Sequence, residues 1–160
     1  MQPMNLTQAA DTLAEHPTRI QNWITRNYFQ PPMFARGGKR EWTPAEVLRL
    51  AVFVILVNRW GVSPAAAGRM TIVPMIADES SDFFVAWHSF ENSAEIEPVV
   101  DFVKRENIGR FLRGEYYDSQ GQTPQWVDPE ALPASAIVID PAPIVRALRA
   151  AWEAEGLDWE

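Results

Sequence analysis

Two short segments near the start of the chain carry apolar residues at helical spacing. The first begins after Asn5, with Gln8 in the position that completes a capping box. The second, residues 17–26, starts with proline, which suits the first position of a helix because no partner is needed there for its missing N–H. Its inward residues are Ile20, Trp23 and Ile24. The pattern predicts two helices joined by a tight turn, with His16 at the cap of the second.

The opposite side of the second predicted helix carries only uncharged polar and basic side chains. They are Thr18, Arg19, Gln21, Asn22, Thr25 and Arg26. Arg and Asn can each hold one base through two hydrogen bonds, and a helix that follows a tight turn suits the major groove of DNA. We therefore interpret this segment as a recognition helix. Its candidate DNA-binding residues are Thr18, Arg19, Gln21, Asn22 and Arg26, of which Arg19, Asn22 and Arg26 are the expected base readers.

The next segment has the composition of a β-hairpin. Residues 27–29 predict one strand, residues 41–42 predict its return, and residues 36–40 predict a glycine-rich basic tip between them. Cations at such a tip suit the DNA backbone or a minor groove. We interpret the hairpin as a wing, whose candidate DNA-binding residues are Tyr28, Arg36, Lys39 and Arg40.

The strongest local signal in the chain is the sequence Thr-Pro-Ala-Glu at residues 43–46. It combines a capping box with proline at the first helical position. The helix should run to about Trp60, where Gly61 can end it in a left-handed turn. Because almost every position is apolar, we expect this helix in the core of the first domain and as part of a subunit interface. Ser63-Pro64 predicts a further short helix that ends near Met70.

Residues 71–82 read as a junction between two domains. We expect a DNA-binding domain at residues 1–77 and a small α+β domain for dimerisation or effector binding at residues 78–160. The first predicted elements of this second domain are a strand at 83–90 and a helix from Ser93 that continues or restarts to Leu112, with Ile96, Val99, Val100 and Val103 on one face. They are followed by a short strand at 125–127, a buried strand at 136–139, and a last helix from Pro141 ended by Gly156. The expected fold class is thus mainly α with small β.

Composition excludes several kinds of chemistry. The chain has no cysteine and only two histidines, so neither a disulfide nor a metal site is expected. No nucleophile triad or glycine-rich phosphate loop occurs, and we expect no enzymatic activity and no cofactor. The chain start lacks the pattern of a signal peptide, and the longest apolar run is far shorter than the roughly 20 residues that span a bilayer. A cytoplasmic, nucleoid-associated protein is expected.

The charge of the chain is unevenly distributed. The net charge is −7, but residues 1–70 have eight Lys and Arg against four Asp and Glu, a net of +4. Residues 71–160 have six against seventeen, a net of −11. Such asymmetry favours two modules with different partners, one of which can approach nucleic acid. A merely soluble acidic surface explains the second module equally well.

Taken in order, these segments resemble the MerR-type winged DNA-binding domain. The resemblance rests on residues 6–14, residues 17–23, the wing through residues 39–42, the run Thr43-Pro44-Ala45-Glu46-Val47-Leu48-Arg49-Leu50, and Gly61-Val62-Ser63. It covers about 70 residues and implies a winged helix-turn-helix at residues 5–70. The long dimerising coiled coil of full MerR-like regulators has no counterpart here, since prolines interrupt the following region and no heptad run occurs. Sensing of metals or oxidants through cysteines is not implied either.

The sequence therefore predicts a sequence-specific DNA-binding transcriptional regulator, most simply a repressor that acts as a homodimer on double-stranded DNA. Two alternatives remain open at this point. One is a phage-type architectural DNA-binding protein, similar to an excisionase or a small terminase subunit. The other is a protein-interaction module that works through its acidic C-terminal half.

Overall fold

The computed structural model describes residues 3–31, 40–80, 82–88, 98–112 and 136–159. Within these ranges the fold is mixed α/β, with six α-helices and one small antiparallel sheet, which confirms the expected class of mainly α with small β. The helices are α1 (Leu6–Thr12), α2 (Pro17–Thr25), α3 (Pro44–Asn58), α4 (Pro64–Met70), α5 (Ile108–Leu112) and α6 (Pro141–Ala154), and a 3-10 turn spans Arg105–Asn107. The strands are β1 (Phe83–His88), β2 (Pro98–Val103) and β3 (Ala136–Ile139).

The chain divides into two compact units. The first unit consists of Met1–Glu79 together with Ala142–Glu160, and the second unit is Ser80–Pro141. The sequence-based division near residue 77 groups the last helix with the C-terminal domain, whereas the structure groups most of α6 with the N-terminal residues. Polar contacts accompany this grouping. Gln8 donates from Nε2 to Glu155 Oε2 at 2.9 Å, and Glu79 pairs with Arg149 at 3.2 Å.

The first two helices begin where the sequence predicts. Asn5 Oδ1 accepts from the Gln8 N–H, and Gln8 Oε1 accepts from the Asn5 N–H, both at 3.0 Å. This reciprocal capping box satisfies two donors that the first turn of α1 cannot pair internally. His16 caps α2, because its Nδ1 accepts from the Thr18 N–H at 3.2 Å. Helices α1 and α2 pack against each other across the intervening turn.

Helix α3 lies in the core of the first unit. Its predicted capping box is present, with the Glu46 carboxylate accepting from the Thr43 N–H at 2.9 Å. The helix ends at Asn58, and Gly61 adopts a left-handed φ of +66° three residues later. Its buried residues are Pro44, Val47, Leu48, Leu50, Ala51, Val52, Phe53, Val54 and Leu56. Because they surround the helix, α3 is covered on several sides within one protomer, as its apolar composition requires.

The predicted strand at residues 27–29 is wrong. These residues form the turn that ends α2, in which Asn27 takes a left-handed φ of +56°. The N–H groups of Tyr28 and Phe29 both donate to the Trp23 carbonyl, at 2.8 and 3.3 Å. These hydrogen bonds satisfy a carbonyl at the helix end, and Asn tolerates the left-handed conformation that they need.

The return strand of the predicted wing has a different partner. Trp42 pairs with Met4 in an isolated antiparallel bridge, with N–H to carbonyl distances of 3.0 and 2.9 Å. The wing tip itself, including Arg36 and Lys39, lies outside the described residues. The pairing that the structure describes therefore joins the segment before α3 to the start of the chain, and residues 27–29 take no part in it.

The second unit contains a sheet with strand order β2-β1-β3, in which both neighbouring pairs are antiparallel. The predictions of β1 and β3 are confirmed over residues 83–88 and 136–139. The predicted helix is wrong over residues 98–103, which form β2. Three valines and a phenylalanine among these six residues favour a strand, and β1 supplies the hydrogen-bonding edge. The predicted helical continuation to Leu112 is confirmed by the 3-10 turn and α5. The predicted strand at 125–127 lies outside the described residues.

One face of this sheet packs under α5. Val85, Val103 and Phe111 are buried together, with Ile108, Ala136 and Val138 against them. At the end of β3, Asp140 binds Arg105 through two hydrogen bonds of 2.6 and 3.3 Å. The guanidinium also lies 4.9 Å from the ring centre of Phe83. The hydrogen bonds that Arg105 donates to Asp140 raise the pKa of Arg105, so the guanidinium stays protonated.

Candidate nucleic-acid interface

The inner face of α2 holds this helix against the core. Ile20, Trp23 and Ile24 are buried, as the sequence predicts. The Trp23 ring meets Phe53 of α3 edge to face, with ring centroids 5.0 Å apart. An aromatic contact of this kind adds directional stabilisation to simple burial of apolar area. The rotation of α2 about its own axis is therefore fixed by the core, which determines the side chains that face outward.

The outer face of α2 carries the predicted set of polar side chains. Thr18, Arg19, Gln21, Asn22, Thr25 and Arg26 are all exposed. The face assignment made from helical periodicity is thus confirmed for every residue of this set. None of these residues is acidic, so the surface presents hydrogen-bond donors, amide groups and two guanidinium groups without a carboxylate among them.

Arg19 lies on one flank of this face and has partners within the protein. Its Nη1 lies 3.1 Å from each carboxylate oxygen of Glu15, and its Nη2 donates to Asn58 Oδ1 at 2.9 Å. Asn58 also donates to Glu15, which closes a three-residue cluster. The Glu15 side chain is only 7% exposed, whereas that of Arg19 is 47% exposed. The cluster therefore joins the start of α2 to the end of α3 through a largely buried carboxylate.

Gln21 lies on the other flank and is also held in place. Its Oε1 accepts from Arg40 Nη1 at 3.5 Å, and its Nε2 donates to Thr25 Oγ1 at 3.4 Å. Arg40 is the one described member of the three basic wing residues. The structure brings it from the segment before α3 to the outer face of α2. The sequence predicts both residues as candidates but gives no sign that they meet.

Three outer residues lie between these flanks. Within the described part of the chain, the side chains of Thr18, Asn22 and Arg26 have no hydrogen-bond or ion-pair partner. They follow one another at intervals of four residues, so they form a single strip along the helix. We call this set the central strip.

Tyr28, the remaining candidate, is half-buried in the turn after α2. Its backbone carbonyl faces Gly68 of α4 so closely that a Cβ on Gly68 would lie 1.8 Å from the oxygen. Sequence reasoning missed Gly68 because its only local signal is a glycine inside an alanine-rich helix, where glycine lowers helix stability. Because of this contact, the position of α4 influences the path of the chain after α2.

Arg49 also supports this turn from α3. Its guanidinium lies 4.8 Å from the ring centre of Phe29 and donates to the Gln30 carbonyl. Phe29 in turn stacks on Trp42 and meets Phe53 edge to face, with centroid distances of 6.2 and 5.2 Å. Desolvation lowers the pKa of Arg49, with Glu46 acting in the opposite direction. Arg49 is thus a structural cation that fixes residues 29–30.

Among the described ranges, no group of three or more His, Asp or Glu side chains is arranged to hold a metal ion. No helix in the described part of the chain is both long and apolar enough to cross a bilayer.

Comparison with known proteins adds no family assignment. No protein-family model matches the chain. No curated protein matches it either.

Proposed function

We propose that the protein is a sequence-specific DNA-binding regulator that inserts α2 into the major groove. The observation that carries this proposal is the outer face of α2, where six polar, non-acidic side chains are exposed while the inner face is anchored to α3. A recognition helix needs this combination, because base readout requires side chains whose backbone is held rigidly.

The proposal includes a winged helix-turn-helix of the MerR type. Helices α1 and α2 pack together across a tight turn, and α3 and α4 pack together behind them, in the order that the resemblance implies. The wing residues Arg36 and Lys39 are proposed phosphate contacts, and Arg40 adjoins the same surface through Gln21. The excess of basic residues over residues 1–70 favours the approach of this part of the chain to DNA.

We include homodimerisation, repression and a location on the nucleoid in the proposal. One recognition helix contacts few base pairs, so such proteins usually bind two half-sites as a dimer. The sequence indicates α3 as an interface candidate, but most of its large apolar side chains are buried within the protomer. Exposed apolar side chains in the described part of the first unit include Trp60, Ile72 and Ile76. A dimer interface would have to draw on such residues or on polar surface.

Fluorescence anisotropy with a labelled, randomised duplex pool tests the proposal. We expect binding at low salt whose affinity falls steeply as salt is raised, because phosphate contacts release counterions. Thr18→Glu places a carboxylate at the centre of the proposed surface, yet it suits the first turn of a helix electrostatically. This variant should fold normally and lose binding.

Ala150→Glu on α6 is the matched control, because it introduces the same charge at an exposed position outside the proposed surface. It should retain binding. If the wild-type protein does not bind duplex DNA at low salt, the proposal is rejected. If the two glutamate variants bind equally well, DNA does not contact α2.

A further inference from the structure

We propose a division of labour across the outer face of α2. The central strip of Thr18, Asn22 and Arg26 reads base sequence, with Asn22 bound to an adenine, whereas Arg19 is a positioning residue that holds the helix. This inference rests on the proposed DNA-binding function and deepens it. Side chains without a hydrogen-bond or ion-pair partner in the described structure would discriminate between base sequences. Side chains that already have partners within the protein would hold α2 in position.

Helix geometry defines the strip. Residues four apart on an α-helix are separated by about 40° around its axis, because one turn takes 3.6 residues. Thr18, Asn22 and Arg26 therefore form a strip that turns by about 80° around the axis from end to end, with Asn22 in the middle. Arg19 and Gln21 lie on opposite sides of that strip. When the outer face of α2 enters a groove, Asn22 therefore lies closer to the bases than the residues of the two flanks.

The Arg19 flank is an internal clamp. Arg19 donates hydrogen bonds to Glu15 and to Asn58, and its guanidinium carbon lies 4.7 Å from the ring centre of Trp23. If Arg19 turned to a base, the Glu15 carboxylate, which is largely buried, would lose its cationic partner. The contacts of Arg19 with Glu15 and Asn58 are therefore favoured over a contact with a base. They connect the start of α2 to the end of α3.

The opposite flank is held in a similar way, with weaker hydrogen bonds. Gln21 has its carbonyl oxygen on Arg40 and its amide nitrogen on Thr25. Both ends of the amide are used, so a bidentate contact with a base would have to break two interactions. Gln21 and Arg40 together form a border to the central strip, and the Arg40 guanidinium remains close enough to α2 to follow the DNA backbone.

Asn22 has the right chemistry for a central reader. Its amide presents one acceptor and one donor side, which match the N6 amino group and N7 of adenine in the major groove. The exposed side chain has no hydrogen-bond partner to give up in the described structure, so no intramolecular interaction offsets the contact. Thr18 and Arg26, one turn before and one turn after, are placed to contact the neighbouring base pairs or phosphates.

The first test uses modified duplexes. A duplex is selected from a randomised pool with the wild-type protein, and each adenine is then replaced by 7-deazaadenine, which lacks the N7 acceptor. At one adenine of each half-site we expect about a tenfold loss of affinity, the size of one good base contact. In Asn22→Ala that replacement should cause no further loss. If Asn22→Ala keeps the full sensitivity to 7-deazaadenine, the assignment of Asn22 is rejected although DNA binding stands.

The second test separates reading from positioning. Arg19→Ala should lower the melting temperature and weaken binding to selected and random duplexes by a similar factor. Asn22→Ala should leave the melting temperature unchanged and lower the ratio of affinities for selected and random duplexes.

Arg19→Ala, Asn58→Ala and the double variant form a thermodynamic cycle. If the two side chains interact, the loss of unfolding free energy in the double variant should be smaller than the sum of the two single losses. An unchanged melting temperature in Arg19→Ala, together with a collapsed affinity ratio, would overturn the division of labour. Absence of any DNA binding would remove both the proposed function and the reading role of Asn22, while the cycle would still report on the clamp.

Discussion

Gly68 of α4 lies against the backbone carbonyl of Tyr28 so closely that no side chain fits between them. A Cβ at residue 68 would stand 1.8 Å from the Tyr28 oxygen and 2.9 Å from its carbonyl carbon. The obstacle is backbone, which cannot swing aside as the end of a long side chain can. Gly68 therefore allows α4 to support the turn through which the chain leaves α2.

Gly68→Ala should destabilise the protein, although alanine is the better helix former. The displaced carbonyl or helix should reduce the free energy of unfolding by about 1–3 kcal/mol, as overpacking of a filled site does. Urea denaturation measures this change. In Ala65→Gly on the exposed side of the same helix, only helix propensity acts, so a loss of about 0.5–1 kcal/mol is expected. A gain of stability in Gly68→Ala would refute the close contact between residue 68 and the Tyr28 carbonyl.

His16 offers a test of the start of α2. Its Nδ1 caps the helix by accepting from the Thr18 N–H, so His16→Ala should cost about 0.5–1 kcal/mol of unfolding free energy. His16→Asp should restore or exceed the wild-type value, because a carboxylate both caps the helix and interacts favourably with its N-terminal dipole. Thermal melts of the three proteins at neutral pH provide the comparison. Equal melting of the alanine and aspartate variants would show that capping at residue 16 has no energetic role.

Local signals in the sequence were enough to place the helices of the first unit. Caps and prolines act within one turn, and Asn5, Thr43 and Ser63 therefore mark helix starts that the structure confirms. The residues of β2 show the limit of such reasoning. Val99, Val100 and Val103 satisfy a helical period as well as a strand, and the choice is made by pairing with β1, which lies many residues away.

The candidate surface shows the same contrast between local and distant causes. Periodicity identified which residues of α2 face outward, since Ile20, Trp23 and Ile24 define the buried side. It could not reveal the contact between Arg19 and Asn58, because Asn58 is 39 residues further along the chain. Likewise, nothing near Gly68 in the sequence points to Tyr28. Contacts between distant residues determine which exposed side chains are available to a ligand.

The ion pair of Arg105 and Asp140 should stabilise the second unit modestly. Both side chains are about one-third exposed, so solvent screens the pair and a contribution of about 0.5–1 kcal/mol is expected despite its bidentate geometry. Asp140→Asn should reduce the free energy of unfolding by that amount, and the difference from wild type should shrink as salt is raised. A double-mutant cycle with Arg105→Gln isolates the pair. A coupling energy of zero at low salt would show that the two side chains do not stabilise each other.

The basic wing residues should control the salt dependence of DNA binding. Each phosphate contact contributes about 0.9 to the slope of log affinity against log salt, so replacing Arg36 or Lys39 by glutamine should lower the slope by about one unit. Arg40→Gln should do the same, because its contact with Gln21 keeps the cation beside α2. The measurement is anisotropy across a salt series with random duplex, and Lys104→Gln in the second unit provides a control of equal charge change that should leave the slope unaltered. If the triple wing variant kept the wild-type slope, these three cations would not lie on phosphates, and the DNA-binding surface would have to be confined to α2 itself.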